Sequence, residues 1–124
     1  MYLDNQELGR IGEELATKYL AQNKYKIIER NFWCKQGEID IIAYDLRNKE
    51  LVFFEVKTRS NFKYGRPSEA VTKVKKKHIV RAAEYYYNYK SQRNKPVRFD
   101  VIEIVFYKGK GMLNHIEKAI LYES

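Results

Sequence analysis

The chain has 124 residues, 44% of them hydrophobic and 32% charged, which describes one globular domain around a single core and excludes a disordered chain. Its 24 lysines and arginines against 16 aspartates and glutamates leave a net charge of +8; that balance points to a polyanionic partner, nucleic acid first, with unfocused solvated charge as the alternative. One cysteine, Cys34, and two histidines, His78 and His115, exclude an internal disulfide and a cysteine- or histidine-rich metal site.

The N-terminal stretch MYLDNQELGR lacks the basic start and apolar run of a signal peptide. No apolar run approaches bilayer length, so a cytoplasmic protein without membrane association is expected. Residues 4–22 carry Leu8, Ile11, Leu15 and Tyr19 at helical spacing. Asp4 is the expected N-cap, with Glu7 three residues on as in a capping box. Glu13 falls beside Gly9, Ala16 and Leu20 on the flank of the apolar face, whereas Glu14 falls on the polar face. Glu13 is therefore the carboxylate expected to look toward the rest of the protein, unless it is a rim residue bonded to a nearby Arg or Lys.

A strand is expected over 25–32, then a turn at Lys35-Gln36-Gly37. Residues 37–59, GEIDIIAYDLRNKELVFFEVKTR, read as two strands joined by a polar turn. Side chains alternate between faces in a strand. Glu38, Asp40 and Ile42 therefore share one face of the first strand, and Phe53, Glu55 and Lys57 one face of the second. The opposite faces, Ile39/Ile41/Ala43 and Val52/Phe54/Val56, are apolar and expected in the core. A turn over 45–50 pairs Tyr44 with Leu51 and sets Asp40 opposite Glu55. Two carboxylates facing each other across strands repel. Either this face is solvated, as antiparallel sheets allow, or a cation belongs between them.

Residues 60–67 read as a loop. A long helix is expected to start within 68–72 and run to about 90, with Val71, Val74, Ile79, Ala82/Ala83 and Tyr86 inward. A loop at 93–96 precedes a strong strand over 97–107 and a turn at 108–111; the type of the element over 113–121 is open. The order α-β-β-β-α-β, with a helix between two strands, fits a crossover to a parallel strand and an α/β mixed sheet flanked by helices.

Asp40 and Glu55 on neighbouring strands suit a hard divalent cation, Mg²⁺ or Mn²⁺. Lys57 projects from the same face toward a phosphate or a water, and Glu13 would complete the site directly or through water. The set suits phosphodiester hydrolysis, in which the metal polarises the phosphoryl oxygen and lowers the pKa of an attacking water. Asp-x(14)-Glu-x-Lys is a weak signal alone, and its strand context strengthens it. Lys73, Lys75, Lys76, Lys77 and Arg81 cluster near the start of the long helix, where cations oppose the helix dipole and phosphate is attracted. They read as backbone-phosphate contacts, extended by Arg59, Lys63 and Arg66. Tyr85, Tyr86, Tyr87 and Tyr89 cannot share one face; one or two belong in the core, and base stacking is a minor reading for the rest. His115 reads as structural, Cys34 as a part-buried thiol, and Asp100 as a partner of Arg98 or another neighbour, with catalysis as the lesser reading.

The succession Gly9-x-x-Gly12-Glu13, Arg30-Asn31, Gly37-Glu38-Ile39-Asp40, Glu55-Val56-Lys57-Thr58-Arg59, Gly65-x-Pro67, Ala70-Val71, Arg98-Phe99-Asp100-Val101 and His115-Ile116 resembles the YraN-like family of small bacterial proteins over nearly the whole chain. That family is similar to archaeal Holliday-junction resolvases and to the PD-(D/E)XK restriction-endonuclease-like fold. The resemblance implies a restriction-endonuclease-like mixed sheet and a metal-dependent nuclease core. Glu13 would match the helix glutamate, Asp40 the strand aspartate, and Glu55 with Lys57 the E-x-K pair. Ile39 stands where the superfamily motif has proline, a departure that touches no ligand. Resolvases of this type act as two-fold dimers, which makes a homodimer an expected partner beside DNA, although the residues themselves show none. Two other readings stand: a non-catalytic nucleic-acid-binding module, and a protein-interaction domain using the tyrosine-rich helix. A pure binder gains nothing from two carboxylates facing a phosphate.

Overall fold

A computed structural model describes residues 4–60, 73–90 and 95–120. In chain order the elements are α1 (Asn5–Gln22), β1 (Tyr25–Cys34), β2 (Gly37–Asp45), β3 (Glu50–Arg59), α2 (Lys73–Tyr89), β4 (Val97–Tyr107) and β5 (Lys110–Ile116). The strands form one mixed sheet in sequence order, β1-β2-β3-β4-β5. β3 and β4 are parallel and the other pairs antiparallel. The expected α/β sheet flanked by helices is thus present, with the open C-terminal element resolved as an edge strand. Lys63, Arg66, Val71 and the expected helix start lie outside the described residues.

Both sheet faces are core, which overturns the solvated-face alternative for the central hairpin. On one face α2 lays Ile79, Ala82, Ala83 and Tyr86 against Ile42, Phe53, Phe99 and Val101. On the other, Ala16 and Leu20 of α1 meet Ile41, Ala43, Val52, Phe54, Ile102 and Ile104. A sheet covered by helices on both sides accounts for the apolar density of β3 and β4.

Asp4 caps α1 as expected, its Oδ1 accepting from the Glu7 N–H at 2.8 Å. The inward face of α1 is rotated from the expected one: Ala16 and Leu20 are fully buried, while Leu15 is exposed. Gly12 explains the rotation. A Cβ there would overlap the Thr58 side chain, so the bare backbone lets α1 lie directly on the end of β3. α2 docks by the same device. A Cβ on Gly37 would come 2.8 Å from the His78 carbonyl oxygen, so the start of β2 touches the helix backbone. Val74, expected inward, is exposed, because Lys75 and Ile79 take the face toward the sheet.

The hairpin register is the expected one: Tyr44 pairs with Leu51, and the ladder runs to Ile41–Phe54, which brings Asp40 beside Glu55. One face assignment needs correction. Ile39 packs in the cluster under α2, whereas Ile41 packs under α1. Across from Asp40 on β1, Asn31 lies between the pairs Arg30–Ile41 and Phe32–Ile39 with φ of 54°, a left-handed conformation that Asn tolerates better than most residues.

Candidate active site

Asp40 and Glu55 meet on the α2 side of the hairpin. The Val56 N–H donates to Asp40 Oδ2 at 2.7 Å. Glu55 is 4% exposed and is gripped by two ammonium groups, Lys57 Nζ at 3.0 Å and Lys75 Nζ at 2.7 Å from Oε1. Burial first, and then the Glu55 charge, push the Asp40 carboxyl up to about 7, against the pull of the Val56 N–H. Burial works most strongly against the Lys75 charge, but its bond to Glu55, its contact with Lys57 and the charges of Glu55 and Asp40 together outweigh this and raise its pKa. Asp40, Glu55 and Lys57 are therefore brought together as expected. Lys75, expected among the phosphate contacts, reaches inward and is bonded to Glu55.

Glu13 reaches this neighbourhood from α1, and its charge contributes to the Asp40 shift. Its own partners are Asn31 Nδ2 at 2.9 Å and Arg30 Nη2 at 3.3 Å, with Arg30 also on Glu14 at 2.8 Å. Glu13 was expected to complete the site of Asp40 and Glu55 directly or through water. Among the described residues, however, no group of three His, Cys, Asp or Glu is arranged to hold a metal ion, and Glu13 is held by Arg30 and Asn31.

Sequence reasoning missed two kinds of contributor. Arg30 and Asn31 were noticed only as a motif; their chemistry is to hold Glu13. Glu103 was not noticed. It pairs in register with Lys57 across the parallel β3–β4 ladder, is 2% exposed, and accepts from Asn114 Nδ2 at 2.9 Å. A glutamate in the run VIEIVF was the available signal, but its relation to Lys57 depends on a parallel register that no turn fixes.

Lys73, Lys76, Lys77 and Arg81 are exposed on α2, and Arg59 is half-buried at the end of β3. The outer faces of α2 thus carry a basic surface above the carboxylate pair. Asp100 and His115 serve a different site on the opposite face of the sheet. Arg98 binds Asp100 with two nitrogens, Asp45 at 2.8 Å, Glu50 at 2.9 Å and the Tyr25 hydroxyl at 2.6 Å. His115 Nε2 lies 2.7 Å from Asp100, and its Nδ1 lies 2.9 Å from the Tyr19 hydroxyl. Burial opposes ionisation of Asp100, but His115, Arg98 and the Lys118 N–H hold its carboxyl below the ordinary range. This network joins α1 to all five strands and includes the expected Arg98–Asp100 pair.

No helix among the described residues is long and apolar enough to cross a membrane. Among solved structures, a repair endonuclease from Pyrococcus abyssi matches with a TM-score of 0.41 and 16% identity, covering 88% of this chain and 42% of that one. Sequence relatives are far nearer. A UPF0102 protein of Geobacter metallireducens is 46% identical over 119 residues, covering 96% of each chain. One from Caldicellulosiruptor saccharolyticus is 46% identical over 102 residues, 82% of this chain and 85% of its own. Another from Clostridioides difficile is 44% identical over 117 residues, 94% and 99% respectively. The model of the uncharacterised protein family UPF0102 matches residues 12–104, a span that takes in Glu13, Asp40, Glu55, Lys57 and Glu103, and the chain belongs to that family.

Proposed function

We propose that the chain is a divalent-metal-dependent endonuclease that hydrolyses phosphodiester bonds in DNA, with branched or structured DNA as its substrate class. The observation that carries this reading is the Asp40–Glu55 pair, two carboxylates set side by side in the sheet with Lys57 and Lys75 on Glu55. A fold with no use for the pair gains nothing from the repulsion and desolvation it incurs. Two hard oxygen donors fit Mg²⁺ or Mn²⁺, which are commonly held by one or two carboxylates with the remaining positions filled by water and substrate. Asp40 and Glu55 would hold such a cation, which would supply Lewis-acid polarisation of the phosphate and a more acidic attacking water.

The chain's own residues have separable parts. Asp40, whose carboxyl is raised by burial and by Glu55, would have to release its proton to serve as a ligand. Lys57 and Lys75 balance Glu55 in the free protein and present ammonium groups to the scissile phosphate. Glu13, oriented by Arg30 and Asn31, orders water at the edge of the site. The exposed lysines of α2 hold the flanking backbone. The water oxygen forms the new P–O bond and one phosphodiester P–O bond breaks, leaving a phosphate monoester and a hydroxyl.

The test is incubation of purified protein with linear duplex, single-stranded, flap and four-way-junction DNA in Mg²⁺, Mn²⁺ or EDTA. Cleavage that needs the metal and favours structured substrates supports the reading. No cleavage of any substrate, or cleavage indifferent to EDTA, overturns it. In the no-cleavage case, binding that falls steeply with salt would mark a non-catalytic nucleic-acid module.

A further inference from the structure

Trp33 is the chain's one tryptophan, and it is 70% exposed at the end of the edge strand β1. An indole on a rim has no part in the core, and the carboxylate site does not use it. It lines a cleft with Gly37, Val74, Lys75 and His78, so it stands beside the lysine that grips Glu55. On its other side a second cleft joins it to Lys35, Tyr85 and Lys90.

The helical half of this surface is periodic. Val74, His78, Tyr85 and Tyr89 lie on one stripe of α2, since steps of four, seven and four residues return to nearly the same angle at 3.6 residues per turn. Val74 is 65% and Tyr89 75% exposed. The Tyr85 and Tyr89 rings lie 4.9 Å apart, and Tyr85 leans on buried Phe32, next to Trp33, at 6.3 Å. Exposed Lys77 and Arg81 run along the outer side of the stripe. From Val74 to Tyr89 the stripe is about 22 Å long at ~1.5 Å per residue. That is room for about six nucleotides at ~3.4 Å each.

Exposed aromatic rings in a row, edged by cations and beginning at a phosphate-cleaving site, are the recognition chemistry of single-stranded nucleic acid. Deepening the nuclease reading, on whose nucleic-acid partner it rests, we propose that Trp33, Tyr85 and Tyr89 form a stacking track for unpaired nucleotides. The track leads away from the Asp40–Glu55 site along the β1–α2 edge. The substrate class then narrows to DNA with an unpaired strand next to the cut, such as a flap, fork or frayed junction. A blunt duplex cannot present its bases to these rings.

The lone tryptophan makes the test direct. Binding is measured in EDTA, so the result is independent of cleavage. The probes are a 12-nucleotide oligo-dT, a blunt duplex of equal length and a duplex with a single-stranded flap. Trp33 emission is expected to be quenched by oligo-dT and the flap, and little changed by the blunt duplex at equal occupancy. Trp33→Ala is expected to weaken oligo-dT and flap binding about tenfold or more, the scale of one lost stacking contact, while duplex binding changes less than twofold. Trp33→Phe should restore most of the loss, and Tyr89→Ser, at an exposed position outside the core, should lower oligo-dT affinity without affecting the fold. Equal loss on all three probes, or Trp33 emission unmoved by oligo-dT, overturns the track. So does a change from dimer to monomer in sedimentation with Trp33→Ala and no change in oligonucleotide affinity, which would make the surface a contact between copies. If nothing is cleaved but oligo-dT quenches Trp33, the track stands and the nuclease reading alone fails. If blunt duplex is cleaved with metal and oligo-dT does not bind, the track alone fails.

Discussion

Lys75 Nζ lies 2.7 Å from Glu55 Oε1, so the basic helix α2 is tied by its own lysine to a carboxylate at the middle of the sheet. Lys75 occupies, in the free protein, an oxygen that a divalent cation would use. Its removal therefore has two opposing effects. Lys75→Met is expected to cost roughly 1–2 kcal/mol of stability, because Glu55 keeps Lys57 as a partner. The variant should also show a larger rise in melting temperature with Mn²⁺ than the parent, since a competitor for Glu55 is gone. Thermal denaturation with and without Mn²⁺ measures both. An equal or smaller metal effect would mean that Lys75 and the cation do not compete.

Asp40 sets the pH dependence of the site. Its folded value of about 7 lies above its ordinary value of 3.8, so between those limits the folded chain holds a proton that the unfolded chain releases. The stability this contributes is present below about pH 4 and is lost as pH rises through 7. Asp40→Asn removes the titrating charge and keeps an oxygen for the Val56 N–H. The variant is expected to be more stable than the parent at pH 8, on the order of 2 kcal/mol, with the gain shrinking toward pH 4. Denaturant melts at the two pH values check the difference. Metal binding, which must displace the same proton, should strengthen over the same rise in pH.

The Arg98 clamp works with the opposite sign. Burial opposes ionisation of Asp45, but Arg98 and the Asn48 and Arg47 groups bring its carboxyl down to about 2. Stability from that group is present above 3.8 and is lost as pH falls through 2. Acid unfolding should therefore set in below about pH 4 and begin on this face of the sheet. Arg98→Met leaves Asp100 and Asp45 buried without their shared cation, at an expected cost of roughly 3–5 kcal/mol. Chemical denaturation checks it, with Arg98→Lys recovering little because one ammonium cannot reproduce the planar fork.

Gly12 and Thr58 form the second close fit. Gly12→Ala forces the new methyl into the Thr58 side chain, at an expected cost of about 1–3 kcal/mol. Adding Thr58→Ala should relieve most of that cost, so the double-mutant cycle is strongly non-additive. Because Glu13 follows Gly12 directly, the single variant should also lower any metal-dependent cleavage more than its stability loss explains.

Features fixed by short-range pattern could be read from the sequence. The Asp4 cap, the 45–50 turn that sets the Tyr44–Leu51 register, and β4 at residues 97–107 all follow from local rules, and with them the pairing of Asp40 with Glu55. What depended on how elements meet could not be read. Leu15 and Val74 obey helical spacing yet point outward, because glycines rather than apolar side chains decide where α1 and α2 touch the sheet. Ile39 packs on the opposite face from Ile41, which no period in the sequence reveals. β5 lacks clear alternation in KGMLNHI, as an exposed edge strand allows. Lys75 reads as one more surface lysine until α2 is laid over Glu55, and Glu103 acquires meaning only from the parallel register with Lys57. The Arg98-Phe99-Asp100-Val101 motif was legible as a motif, and its chemistry proved to be a buried ionic clamp.

The proposed nuclease activity requires that Asp40 and Glu55 together hold the metal. The most direct measurement is the single-turnover rate of cleavage of a labelled flap substrate in Mn²⁺, compared among the parent, Asp40→Asn and Glu55→Gln. All three preparations must first be shown folded by their melting curves. The expected result is metal-dependent cleavage by the parent and a fall of about 10²-fold or more in each variant, the scale of losing a group that stabilises developing charge. A folded Asp40→Asn or Glu55→Gln protein that cuts at the parental rate would contradict it.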